Sequence, residues 1–194
     1  WGPCSIDITN ATTPATSCVL PACITVAPAA PWLIASGFKS LLGPVLYLDS
    51  VSLALVSDVT VFDTVGAQVD ADVPGGAVRV TSCVDVTLQF LNITNCTAIS
   101  LHGGGIALED SMGVTLTNAS ISGCSAPNNG GGVYVVRSNV AFSSVLVFNN
   151  TAGGSGGGVY VYGERQTLTM DDSAIVHNTA VWGGAIALDG GVCE

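Results

Sequence analysis

The stretch GGVYVV, Gly131 to Val136, returns 26 residues later as GGVYVY, Gly157 to Tyr162, and this repetition decides the fold. Working outward, the same pair of glycines followed by a short apolar run occurs as GGAVRV from Gly75, GGIALE from Gly104 and GGAIAL from Gly183, at spacings of 29, 27, 26 and 26 residues. A second element precedes four of these: LNITNCTA ending at Ala98, ASISGCSA at Ala126, VLVFNNTA at Ala152 and SAIVHNTA at Ala180. Each unit reads as a short strand, a turn, a second strand of alternating character such as VTLTNASIS, and a polar corner closed by glycine.

A period near 26 made of short strands, with no amphipathic helix, excludes most repeat architectures. Leucine-rich repeats need a leucine ladder, propeller blades are longer, and a sandwich does not repeat its sequence. What remains is an all-β, right-handed parallel β-helix, each turn about 4.8 Å above the last with like residues over like. One such turn cannot bury its own apolar face. Stacked, Ile93, Ile121, Val147 and Ile175 form one interior column, and Ala77, Ile106, Val133, Val159 and Ala185 are expected to form another.

VLYLDS from Val45, VSLALV from Val51 and DVTVFD from Asp58 also alternate like strands and fit one or two less regular turns. Residues 1–40 are expected to form an N-terminal cap, because an uncovered terminal turn exposes apolar surface and unpaired backbone. Residues 41–194 are expected to form the coil. The turn opened at Gly183 reaches Glu194 without a visible second strand, so the coil is expected to continue in a longer protein or to be covered by a partner.

The repeats resemble those of the polymorphic outer membrane proteins, bacterial surface adhesins whose passenger domains are β-helices of pectin-lyase-like architecture; related repeats occur in secreted and surface proteins of algae and other protists. GGVYV and HNTAVWGGAIAL carry the resemblance, over roughly Gly75 to Gly191. The family's Phe position holds Ile93, Ile121, Val147 and Ile175 here, and two of its Asn positions hold Cys96 and Cys124. The resemblance implies a β-helix with a structural or adhesive role at a cell surface.

Composition narrows the partners. A net charge of -10, with Lys39, Arg79, Arg137 and Arg165 far apart, leaves no basic patch for nucleic acid. The longest uncharged stretch, Ile8 to Phe38, contains Pro14, Pro21, Pro28 and Pro31, which a membrane-spanning helix does not tolerate. Five N-x-Ser/Thr sequons, at Asn10, Asn92, Asn95, Asn118 and Asn149, together with seven cysteines, suit an oxidising secretory route and an extracellular or cell-surface location. The expected partners are other extracellular proteins, further chain at the open C-terminal end, and glycans.

Cys96 and Cys124 hold one consensus position on adjacent turns, within disulfide range if stacked; a bridge and a pair of buried thiols are both consistent with that spacing. Cys4, Cys18 and Cys23 are candidates for a local disulfide in the cap. Because seven is odd, one cysteine is left as a thiol or pairs outside this chain. Asn150 and Asn178 share the next members of the cysteine column and are expected to form an amide ladder. Tyr134 and Tyr160 stack on neighbouring turns; an outward stripe there would suit a sugar or protein partner, while packing into the core is the more frequent outcome for such a pair.

Catalysis is not expected. Polysaccharide lyases and hydrolases on this architecture need a base beside calcium or paired carboxylates. Here Asp171–Asp172 and Glu109–Asp110 are sequence neighbours that point to opposite faces of a strand, while Asp110 and Asp189 are read at one repeat position three turns apart. No cofactor or metal is expected either, since there is no C-x-x-C and His102 and His177 fall on different faces.

Overall fold

The computed structural model describes residues 46–190 apart from 51, 53–54, 63–75, 100–101 and 165. Outside that range it describes only the backbone of the strands Ile6–Thr9, Ala15–Thr16, Thr25–Val26, Trp32–Ile34 and Val192–Cys193. The molecule is a coil of parallel strands with three main strands per turn, not the two read from the repeat, and a short fourth pair where Ser125–Ala126 lies beside Thr151–Ala152. The first sheet stacks Ile6–Thr9, Leu46–Asp49, Val78–Thr81, Ile106–Glu109, Val133–Val136, Val159–Tyr162 and Ile186–Asp189. The second stacks Trp32–Ile34, Leu55–Ser57, Thr87–Gln89, Val114–Thr117, Val140–Ser143, Thr167–Asp171 and Val192–Cys193. The third stacks Thr60–Phe62, Asn92–Thr94, Ser120–Ser122, Leu146–Phe148 and Ala174–Val176.

The extra strand arises because the long alternating run is broken by a residue in the left-handed region. In VTLTNASIS, Asn118 has φ 49° and separates Val114–Thr117 from Ser120–Ser122. Phe90 (φ 53°), Ser144 (φ 56°) and Asp172 (φ 46°) do the same on other turns. A left-handed residue shifts the in/out alternation by one position, so Leu116 and then Ala119 and Ile121 all point inward. The same device makes the corner after the first sheet, at Ser82, Asp110 and Arg137, and the corner after the third, at Asn95, Gly123, Asn149 and His177. Asparagine, aspartate and glycine tolerate this conformation best, and they supply many of these positions.

Register settles the columns. Ile93, Ile121, Val147 and Ile175 pair directly across successive turns, as expected. The other column is corrected: Ile106, Val133 and Val159 align with Val78 and Ile186, not with Ala77 and Ala185. Ala77 and Ala185 instead take the place of a third glycine, Gly105, Gly132 and Gly158. Asp189 aligns with Tyr162, Val136 and Glu109, so the pairing of Asp110 with Asp189 is likewise displaced by one. The turn opened at Gly183 does have a second strand, Val192–Cys193, which pairs in parallel with Thr167–Leu168.

Before residue 46, Ile6–Thr9 adds to the first sheet beside Leu46–Asp49 and Trp32–Ile34 to the second beside Leu55–Ser57, both parallel. Ala15–Thr16 and Thr25–Val26 pair antiparallel. Cys4, Cys18 and Cys23 lie outside the described residues.

Among the described residues there is no helix, and so none long and apolar enough to cross a membrane. The interior is one continuous aliphatic cluster from Leu46 to Leu168, with Phe142 its largest fully buried side chain.

The glycines close each turn by letting backbones touch. A Cβ on Gly131 would begin 2.5 Å from the Gly157 carbonyl oxygen of the next turn and 2.5 Å from Thr151 backbone atoms. Gly76, Gly104 and Gly157 meet equivalent obstacles on the turns that follow them. The obstacle is main chain held in its own hydrogen bonds, so no side-chain rotation relieves it. Gly131→Ala is expected to lower stability by about 1–3 kcal/mol, read as a lower denaturant midpoint; an unchanged midpoint would show that the turns are less tightly stacked than described.

Candidate functional site

Two features of the coil hold chemically distinctive groups: the inward corners, and the outer face of the first sheet. At the corner after the third sheet, Cys96, Cys124, Asn150 and Asn178 lie on successive turns, each directly after a left-handed residue and each pointing inward. Cys124 N–H donates to Asn150 Oδ1 at 2.9 Å and Asn150 N–H to Asn178 Oδ1 at 2.8 Å. The side-chain amides donate both ways: Asn150 Nδ2 reaches Ile121 O of the preceding turn at 3.0 Å and Asn178 Oδ1 of the following turn at 3.0 Å, and Asn178 Nδ2 reaches back to Val147 O at 2.9 Å. The expected amide ladder is therefore present. It satisfies backbone groups that the corner would otherwise bury unpaired.

The cysteine thiols, by contrast, donate within their own turn. Cys96 Sγ donates to Thr94 O at 3.3 Å and Cys124 Sγ to Ser122 O at 3.4 Å. Both side chains are buried thiols, as is that of Cys83. The Cys124 thiol is pushed well above the ordinary cysteine range, first by its hydrogen bond with Cys96 and then by burial.

A second ladder, which the repeat analysis missed, occupies the corner after the first sheet. Cys83 N–H donates to Ser111 Oγ at 3.0 Å and Ser111 N–H to Ser138 Oγ at 2.9 Å. The hydroxyls donate in turn to Glu109 O and Val136 O, both at 2.8 Å. Its sequence signal is a small residue two places after three successive first-sheet strands, at Cys83, Ser111 and Ser138.

On the outer face of the first sheet, Tyr134 and Tyr160 stack with centroids 5.6 Å apart and planes 5° apart. His102 continues the stack onto Tyr134 at 4.4 Å. This aromatic column faces outward from the coil yet is covered, since both tyrosines are only 8% exposed. The cover includes the glycine loops: Gly103 and Gly130 lie against Tyr134, and Gly156 against Tyr160, each so close that a Cβ would collide. The Tyr160 hydroxyl donates to Asp189 Oδ2 at 3.2 Å. Burial and this carboxylate push the Tyr160 hydroxyl up to about 12, while burial pulls His102 below the ordinary histidine value.

Arg79 and Arg137 each pair with a carboxylate of an adjacent turn. Arg79 donates to Glu109 at 2.9 Å and lies 5.2 Å from the centre of the Tyr47 ring. Arg137 grips Asp110 with two bonds of 2.6 and 2.8 Å and holds that carboxyl below the usual carboxylate range. Asp110 and Arg137 are the same corner position on adjacent turns, a match the repeat itself encodes. Among the described residues no three His, Cys, Asp or Glu side chains come together as a metal site would require.

Four of the five sequon asparagines, Asn92, Asn95, Asn118 and Asn149, are exposed; Asn10 lies outside the described residues. All four belong to one flank. Asn92 opens a strand of the third sheet, Asn118 turns the chain into that sheet, and Asn95 and Asn149 turn it out again.

Two measurements probe these arrangements. Asn150→Ala strands the Cys124 N–H and the Ile121 carbonyl inside the coil, at a cost of roughly 3 kcal/mol; Asn178→Ala costs less, because water reaches that half-buried site. Equal effects in urea denaturation would contradict the ladder. For Tyr160, the folded-state value lies above the unfolded one of about 10. Its contribution is therefore complete below pH 10 and is lost as pH rises toward 12. Wild type is expected to lose more stability than Tyr160→Phe over that interval; parallel curves would refute the buried hydroxyl.

No curated protein and no solved structure matches the chain. The family model described as "right handed beta helix region" matches residues 46–193. That span holds every turn whose side chains are described above, and with parallel strands stacked in three sheets it places the chain in the right-handed β-helix family.

Proposed function

We propose that this chain is a non-catalytic segment of an extracellular or cell-surface glycoprotein, a rigid rod that serves a structural or adhesive role. The observation that carries the reading is the exposure of Asn92, Asn95, Asn118 and Asn149 on one flank of the coil. Corner geometry alone favours asparagine at Asn95, Asn118 and Asn149, which have left-handed backbones. Asn92 has no such need, because it sits in a regular strand with its side chain outward. Sugars along this flank would solubilise a chain in which charged residues make up only 9%.

The resemblance to polymorphic outer membrane protein repeats supports the adhesive side of the proposal. Against catalysis stands the placement of the carboxylates. On the outer column of the first sheet, Asp49, Glu109 and Asp189 are each separated by at least one intervening turn, and Glu109 is already paired with Arg79. Hydrolysis or elimination on a sugar chain needs two such groups across one bond. The Tyr134–Tyr160 stack does not offer a sugar an open aromatic platform, because both rings are covered.

Glycopeptide mass spectrometry on the chain secreted from a eukaryotic host tests the proposal. Glycans are expected at several of Asn92, Asn95, Asn118 and Asn149; finding all four bare would remove its support.

A further inference from the structure

We infer that Cys96 and Cys124 form a disulfide that joins two adjacent turns at the inner corner, closing while the turns stack. The register is fixed on both sides of the pair. Thr94 lies opposite Ser122 and Thr97 opposite Ser125, so the two cysteines face each other at the spacing of neighbouring parallel strands. That spacing, about 4.8 Å, falls within the Cα range of disulfides. The side chains adopt matching poses, each sulfur directed to the carbonyl two residues earlier, at 3.3 and 3.4 Å.

The neighbouring corner shows what this position needs when no bridge is made. There Cys83 is followed on the next two turns by Ser111 and Ser138, so serine serves at two successive positions and no second cysteine is needed. Further along the present corner asparagine serves instead. Two cysteines on consecutive turns are therefore more than corner geometry requires. With them, the interior edge runs as a covalent link from Cys96 to Cys124 and then as amide hydrogen bonds through Asn150 and Asn178.

The chemistry balances with a small disulfide, such as glutathione disulfide, as oxidant. One cysteine thiolate attacks a sulfur of the oxidant, forming a mixed disulfide and releasing one thiolate. The second cysteine thiolate then attacks the protein sulfur of that mixed disulfide and releases the other. Two electrons pass to the oxidant, and the two protons lost by Cys96 and Cys124 are taken up by the departing thiolates. In the folded coil both sulfurs are buried and the Cys124 thiol resists ionisation, so exchange is slow there. Closure thus belongs to the period before burial is complete. The natural oxidant rests on the extracellular reading, whereas the geometry does not.

The test uses the full chain carrying Cys83→Ser, a replacement that matches the serines beside it. The chain is refolded in glutathione redox buffer, alkylated in denaturant without reductant, and cut after Arg and Glu. Cleavage yields Val80–Glu109 and Asp110–Arg137, which then hold Cys96 and Cys124 as their only cysteines. The expected product is the two peptides linked, with the link lost on reduction. Both cysteines recovered alkylated would overturn the inference, whether or not the chain proves to be secreted. If the folded, reduced chain exposed to the same buffer crosslinks as fast as the refolding chain, closure during stacking is refuted; a rate at least tenfold lower is expected. In the same background, Cys96→Ser/Cys124→Ser should fold and gain less in denaturation midpoint on oxidation than the parent, since only the parent can form the bridge between turns; equal gains in the two would contradict it.

Discussion

Backbone contact between successive turns is the constraint on which the coil depends. At Gly131 the main chain of the next turn occupies the space where a side chain would start, and Gly76, Gly104 and Gly157 repeat the arrangement. Such closeness allows no slippage. A shift by one residue would bring a Cβ into a carbonyl and turn every interior aliphatic residue outward. The columns of Ile93, Ile121, Val147 and Ile175, the two corner ladders and the aromatic stack all inherit their alignment from this contact. Apolar burial supplies the driving force, but the glycine corner sets the register in which it acts.

The corners also show how fold geometry and a modification signal come to share residues. A left-handed position favours asparagine, the next residue points inward and is small, and the one after that points outward, often as serine or threonine. Written in sequence, this is N-x-Ser/Thr. Asn95, Asn118 and Asn149 satisfy both requirements at once, so the sequons are partly a by-product of how the chain turns. Asn92 is the exception, and it gives the glycoprotein reading support that the corners cannot.

The architecture was legible because stacking imposes the same demand on each turn, and a demand repeated every 26 to 29 residues becomes a pattern. The interior column at Ile121, the Asn150–Asn178 ladder and the stacking of Tyr134 on Tyr160 could all be read from it. The third strand could not, because alternation was followed across Asn118 as if parity were preserved there. A single left-handed residue reverses that parity without leaving a gap in the pattern. The misplacement of Ala77 and Ala185 has a related cause: from Val78 onward three successive small residues precede each first-sheet strand, and counting from the wrong one moves the column by a position. The covering of the tyrosines was hidden for another reason. It depends on loops that fold back over the outside of the first sheet, and loop paths are set by tertiary contact that periodicity does not encode.

The direction of the hydrogen bonds in such a stack has a mechanical meaning. Strands run across the long axis, so the bonds between turns run along it. A pull along that axis therefore loads the bonds of three strands at each junction together, rather than peeling them one at a time. Resistance is then governed by whichever junction has the fewest and weakest bonds. At the inner corner, the junction between Asn150 and Asn178 shares its load among amide hydrogen bonds, whereas a bridge between Cys96 and Cys124 would carry its share on a covalent bond. For a rod exposed to traction, the order of covalent and hydrogen-bonded corners along the axis decides where it would part.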